Sequence, residues 1–290
     1  MPLLISVIVV AYNASTTIRQ CLSALRRQTD SGFEVLLVDS STDGTAAVVQ
    51  AEFPEVRIIR SEARLYPGAA RNRGIQAAWG EIIAFVDSDC VAAPNWIETM
   101  RRAYADPSID AVGGAVVPAN PESRAGWGAW FCEFSSWAPV GEVRLMRDIP
   151  TCNISYRTAV LRRVAPFREH GYCSDTALNW RLTGSGHTLV FRPDLVVAHF
   201  NLTRVSRFLR KQKMHGRAFS RMRCQERHFG VAHRAFYAVG CGVLPMLLWT
   251  RMLRRELPPG YSRQAWRSMP VIVAGLLAWT WGEALGYVRP

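Results

Sequence analysis

A chain of 290 residues, 49% of them hydrophobic, can hold one large α/β domain with an ample core plus an appendage. Its seven cysteines (Cys21, Cys90, Cys132, Cys152, Cys173, Cys224, Cys241) show neither paired spacing nor a Cys-x-x-Cys signature, which excludes a disulfide framework or zinc ribbon and leaves reduced thiols. The net charge of +12 is unevenly spread and implies an anionic partner.

Residues 3–10 (LLISVIVV) are a β-branched apolar run that predicts a buried strand, and Ala11-Tyr12-Asn13-Ala14-Ser15 leads from it into an amphipathic helix over 16–27. A second strand at 34–38 ends in Asp39-Ser40-Ser41-Thr42-Asp43-Gly44-Thr45 and is followed by a helical stretch at 46–53. Residues 56–60 supply a third short strand, 68–79 (GAARNRGIQAAW) a helix, and 81–86 a fourth strand running into Asp87. This alternation predicts a mostly parallel sheet flanked by helices. Ligands of open α/β sheets bind outside the carboxyl ends of the strands, so Tyr12, Asn13, Asp39 and Asp87 are expected at one rim.

The fourth strand ends in Asp87-Ser88-Asp89-Cys90, two carboxylates one residue apart. On an extended backbone, positions i and i+2 share a face, so the pair would converge on one hard cation, Mg2+ or Mn2+, and the phosphate it carries. Helix capping or a solvated turn explains an isolated pair as well. This pair has companions. SVIVVAYNAS, VDSSTDGT, GAARNRGI and VDSDC, in that order, resemble the inverting nucleotide-sugar glycosyltransferases of family 2, with the GT-A fold, and in particular bacterial membrane-associated members. The resemblance covers roughly residues 1–200, which are expected to be the catalytic domain, with 201–290 a basic helical region. It implies that Ala11, Tyr12, Asn13 and Asp39 hold the nucleotide, that Arg71 lies near the diphosphate, and that Asp87, Ser88 and Asp89 serve ribose and metal. Capping also accounts for Asp39 and Asp43, and a solvated helix face for Arg71. A dehydrogenase or P-loop enzyme is disfavoured, because neither Gly-x-Gly-x-x-Gly after the first strand nor Gly-Lys-Ser/Thr is present. A sugar-nucleotide nucleotidyltransferase would need a glycine-rich loop that 11–17 does not provide, and a non-catalytic membrane adaptor would not need the full set of carboxylates.

Further along, a helix from Pro94 to about Tyr104 and a strand at 111–118 are predicted, followed by an aromatic stretch in which Trp137 and its neighbours offer an acceptor platform, or ordinary core. Residues 150–157 (PTCNISYR) look like the family's acceptor-side strand, which points to Asn153. In GYCSDTALNWRL the resemblance makes Asp175 the general base, with Ser174 standing where relatives usually carry Glu. A helix amino terminus favours an ionised carboxylate, and capping alone would also explain the residue. After a turn and short strand at 186–194 and another strand at 195–200, His199 is a candidate metal or diphosphate neighbour, or a satisfied, partly buried histidine. The polymerising relatives' Gln-x-x-Arg-Trp is absent, which favours transfer of a single sugar.

Between Arg204 and Arg234 the cations outnumber a single acid, Glu226. Apolar segments at 235–249 and 269–288, edged by Trp and Tyr, favour an anionic membrane surface over nucleic acid as the partner. The first is short and contains Pro245, the second carries Glu283, and the arginines between them oppose the positive-inside rule. Two interfacial or re-entrant helices are therefore expected, the alternative being burial against each other or in a homodimer. Without a signal peptide at 1–4, the expected location is the cytoplasmic face of the membrane, and the acceptor a lipid-linked or other glycan.

Overall fold

A computed structural model of the chain describes residues 4–289. Residue 3 of the first predicted strand, and residues 1–3 of the leaderless reading, lie outside them. The chain divides into two compact units, 1–116 with 141–199, and 117–140 with 200–290. The aromatic stretch 117–140 groups with the carboxyl-terminal helices rather than with the residues on either side of it.

The first unit opens with three βα repeats: β1 (Ile5–Ala11), α1 (Ile18–Arg26), β2 (Phe33–Asp39), α2 (Thr45–Glu52), β3 (Arg57–Arg60) and α3 (Pro67–Ala77). β4 (Ile82–Asp87), β5 (Cys90–Ala92), α4 (Trp96–Ala103) and β6 (Ala111–Pro118) follow. The β-branched runs form strands buried on both faces, and Ile5, Val7, Ile8 and Val9 are fully enclosed. In α1 the apolar residues Ile18, Cys21, Leu22 and Leu25 recur at helical spacing and pack inward. β1 pairs in parallel with β2 and β4, and β2 with β3, so their carboxyl ends share one rim.

Beyond residue 140 come β7 (Arg144–Leu145), β8 (Ile154–Arg157), α6 (Thr158–Val164), α7 (Ser174–Gly184) and β9 (Leu189–His199). β8 joins β4 antiparallel, and the path across the sheet reads β3-β2-β1-β4-β8-β6-β9-β5, with β7 on β9. The sheet is thus mixed, parallel in its first half. Two strands predicted at 186–200 are one, β9, which runs through Pro193.

The second unit holds α5 (Arg124–Glu133), α8 (Val205–Glu226), α9 (Val231–Gly240), α10 (Leu244–Leu253) and α11 (Tyr261–Val288). α8 and α11 approach closely because glycines face the partner backbone: a Cβ on Gly216 would lie 2.1 Å from the Trp279 carbonyl oxygen, and one on Gly282 would lie 2.0 Å from that of Lys213. Glu283, an apparent obstacle to membrane contact, is turned inward. Its carboxylate accepts from Trp279 Nε1 at 3.0 Å and from the Tyr287 hydroxyl at 2.9 Å, one turn to either side. Among the described residues, α11 is the one single helix long and apolar enough to cross a membrane, while α9 and α10 form an apolar pair bent by 62°.

Candidate active site

Strand register assembles the rim. Ala11 pairs with Asp39, Val10 with Asp87, and Asp39 with Arg60. Parallel neighbours lie about 4.8 Å apart, so Asp39 and Asp87, two strands away from each other, are separated by about 10 Å along the rim. Asp39 is fully buried, accepts from the Ser41 N–H at 3.1 Å and forms an ion pair with Arg60. It caps no helix, because the N-cap of α2 is Gly44 and no side chain caps that end. Asp43 does the local work instead, accepting from the N–H groups of Thr45 and Ser15.

Asn13 knits the first loop to the second. In the left-handed region at φ +54, it donates its N–H to Ser41 Oγ and accepts from the Thr42 N–H at 2.9 Å. Tyr12 stays 42% exposed beside the Arg64 guanidinium, 4.3 Å from its ring centre, an aromatic face open to a planar ligand.

Arg71 is not on a solvated face. It is 5% exposed, donates to Asp87 Oδ1 at 3.1 Å, and its Nε has no hydrogen-bond partner. A buried guanidinium with an unused donor beside a carboxylate suits an anionic oxygen. α3 reaches this position because Gly68 lies against the chain before α7: a Cβ there would sit 1.9 Å from the Arg168 carbonyl oxygen and 3.2 Å from Ser174 Cβ. Asn72, unnoticed in the sequence, fastens the same contact by bonding both the carbonyl and the N–H of Phe167.

The two carboxylates of Asp87-Ser88-Asp89 do not sit together on an extended strand. β4 ends at Asp87, and Ser88 and Asp89 form a turn into β5, so the period-two argument fails for Asp89. Asp87 faces Arg71, whereas Asp89 lies 3.6 Å from His199 Nε2. The antiparallel β5–β9 register produces this second contact by setting His199 opposite Cys90. Burial raises the Asp87 carboxyl above the usual range, Arg71 opposes that, and Asp89, His199 and Asp175 also act on it. These five side chains therefore belong to one electrostatic neighbourhood.

Asp175 occupies the first turn of α7, beside the helix's free N–H groups. Its carboxylate takes the Thr176 N–H at 3.0 Å and looser contacts from Thr151 at 3.3 and 3.5 Å, which leaves room for an acceptor hydroxyl. The preceding residue, Cys173, is held at φ +62, costing about 1–2 kcal/mol for a non-glycine. Of the residues expected on the acceptor side, Ser174 is buried near Gly68 and Trp137 falls in the other unit. Asn153 is a correction: fully buried, it donates to the carbonyls of Ala115 and Leu195 and accepts from Trp96 Nε1, so its amide is engaged by the core.

Asp89, Cys90 and His199 bring their ligand atoms within 4.8 Å of one another. Burial holds the Cys90 thiol well above its ordinary range, beside the thiol of Cys152, which leaves one carboxylate and one imidazole. An oxygen and a nitrogen donor fit Mn2+ or Mg2+, with remaining positions for phosphate oxygens.

An open α/β sheet with arginine and carboxylates at its carboxyl rim defines the GT-A class of fold. The chain shares that fold with the mannosyltransferase PcManGT from Pyrobaculum calidifontis, solved with GDP-Man and Mn2+, at a TM-score of 0.57 and 19% identity over 98% of this chain and 73% of the other. The structure of GalNAc-T7 with UDP, GalNAc and Mn2+ gives a TM-score of 0.55 and 14% identity over 74% and 47%. In sequence, the glycosyltransferase AglE of Haloferax volcanii is 30% identical over 203 residues, 67% of this chain and 66% of that protein. The pre-mycofactocin glycosyltransferase of Mycobacterium tuberculosis is 26% identical over 225 residues, 73% of this chain. The chain spans just under two thirds of the first relative's length and 46% of the second's. Glycosyl transferase family 2 matches residues 6–171, more than half of the chain, and the chain belongs to that family.

Proposed function

We propose that the protein is a metal-dependent, inverting glycosyltransferase that moves one sugar from a nucleotide diphosphate donor to a hydroxyl of a lipid-linked or other glycan acceptor. The observation that carries this reading is the convergence of Arg71, Asp87, Asp89, His199 and Asp175 on one neighbourhood at the strands' carboxyl ends. Tyr12, Asn13 and Asp39 lie one to two strands along the same rim, where a nucleoside would reach them. Asp89 and His199 would hold the divalent cation, which when bound supplies Lewis-acid stabilisation of the departing diphosphate. Arg71 adds a fixed positive charge there, and its unused Nε–H is a further donor to the developing anion. Asp175 takes the proton of the acceptor hydroxyl. The oxygen then attacks the anomeric carbon opposite the nucleotide, breaking the bond to the diphosphate and inverting the centre.

The second unit supports an anionic membrane surface as the place of action. Val231, Phe236 and Val239 on α9, and Trp266, Val273, Leu277, Trp281 and Val288 on α11, are exposed apolar side chains, the latter recurring at intervals of four and seven.

Two variants test the chemistry. General-base assistance contributes about 10² to 10⁴ in rate, so Asp175→Asn is expected to lose transfer by at least the lower figure while titrating donor nucleotide with wild-type affinity in calorimetry. Asp89→Ala is expected to lose the EDTA-sensitive part of that affinity. Transfer retained by the first variant refutes the base, and binding by the second unchanged with and without EDTA refutes the metal site. Release of nucleoside diphosphate from a panel of UDP, GDP and dTDP sugars would identify the donor.

A further inference from the structure

A second carboxylate stands beside Asp175. Asp148, in the segment before β8, accepts from Thr176 Oγ1 at 2.9 Å on Oδ2 and from Asn179 Nδ2 at 2.9 Å on Oδ1. Both donors lie on the first two turns of α7. Asn179 is fully buried and oriented on every side: its oxygen accepts from the Tyr156 hydroxyl at 2.6 Å, and its nitrogen also donates to the Ile149 carbonyl at 2.8 Å. The chain of bonds therefore runs from the floor of the sheet, through Tyr156 and Asn179, to Asp148 and Thr176. Thr176 is the residue whose backbone N–H holds the Asp175 carboxylate.

We propose that Asp148 is a positioning residue for Asp175, clamping the first turn of α7 through Thr176 and Asn179 and coupling its own protonation to that of Asp175. This rests on the reading of Asp175 as the base. The titratable groups facing Asp148 include Asp175 on α7 and Tyr156 on β8; those interacting in turn with Asp175 include Asp87 at the end of β4 and Cys152 before β8. Burial is the first cause that pushes the Asp148 carboxyl up to about 7, and the Asp175 charge is the second. Because the Asp175 charge is one of the causes that raise the Asp148 carboxyl, removing that charge lowers it again. The pair needs no direct contact with substrate at Asp148, whose oxygens are already held by α7.

The closing experiment has two arms on the full-length protein. In ¹³C-carboxyl NMR, one aspartate resonance is expected to titrate near 7, to be absent in Asp148→Asn and to move to lower pH in Asp175→Asn; that arm does not depend on turnover. In the transfer assay, wild-type kcat/KM is expected to rise through an ionisation near 7 that Asp148→Asn lacks. That variant should show kcat at pH 8 reduced by about three- to tenfold, with KM for the donor unchanged. Asp148→Glu, which keeps the charge, should restore the ionisation. A titration of the resonance unmoved by Asp175→Asn, or an Asp148→Asn profile superimposable on wild type, overturns the proposal. Coupled resonances in a protein that transfers no sugar would instead overturn the transferase reading and leave the pair standing. Circular dichroism and donor titration of Asp148→Asn identify a misfolded variant, in which case the Asp175→Asn resonance shift decides the matter.

Discussion

Raising the Asp148 carboxyl to about 7 from its ordinary 3.8 has a consequence for stability that is separate from catalysis. Between those values the unfolded chain has released the proton while the native state still holds it, so the native state binds more protons. Stability accordingly falls as pH rises from about 4 to about 7, with a ceiling of about 4 kcal/mol for three units, reduced in practice by solvent reaching the half-buried carboxyl. Asp148→Asn cannot ionise and escapes this loss. Urea denaturation is expected to find it more stable than wild type at pH 8 and equal to it at pH 4; a stability gap independent of pH would contradict the assignment. The residue also marks where sequence reading stopped. Asp39, Asp87, Asp89 and Asp175 stand at strand or helix ends inside recognisable strings. Asp148, Arg60 and Asn72 are defined by partners 19 to 97 positions away, so nothing local distinguishes them.

Elements were legible where hydrophobic period and turn residues agreed. The first three βα repeats and β4 follow from apolar runs closed by turn-forming residues (Asn13, Asp39, Ser61 and Asp87), and their parallel register brought the expected rim together. Geometry that depends on turns was not legible: the turn at Ser88 and Asp89 sends two neighbouring carboxylates to different partners, and β9 continues through Pro193 where two strands were expected. The close approach of α3 and α7 rests on Gly68, and overfilling a packed contact typically costs about 1–3 kcal/mol. Gly68→Ala is thus expected to lower Tm by several degrees and to weaken donor binding, because Arg71 rides on the same helix. A variant with wild-type Tm and affinity would mean that the contact relaxes without moving Arg71.

At the scale of the whole molecule, the sequence located the basic and apolar region but not its internal economy. Several of its cations are engaged within the unit: Lys211 pairs with Glu133, Arg223 donates to the Tyr287 hydroxyl, Arg221 donates to the Arg289 carbonyl, and Arg234 donates to the carbonyls of Tyr287 and Val288 at the end of α11, where a helix end favours positive charge. Arg207, Arg210 and Arg217 are exposed on α8 and, from their spacing, share one face. Each basic residue near an anionic membrane contributes about 1 kcal/mol, so exchanging all three for Gln is expected to weaken binding to phosphatidylglycerol vesicles on the order of a hundredfold. Phe236→Glu with Trp281→Glu should weaken it on zwitterionic vesicles too, since those side chains act through apolar burial rather than charge. Flotation in detergent-free gradients reads both effects. High salt should mimic the arginine variant and leave the apolar contribution in place. Wild-type protein that stays at the bottom of the gradient with anionic vesicles at low salt would instead assign the exposed apolar stripe of α11 to a protein partner such as a second copy, which sedimentation equilibrium would then detect as a dimer.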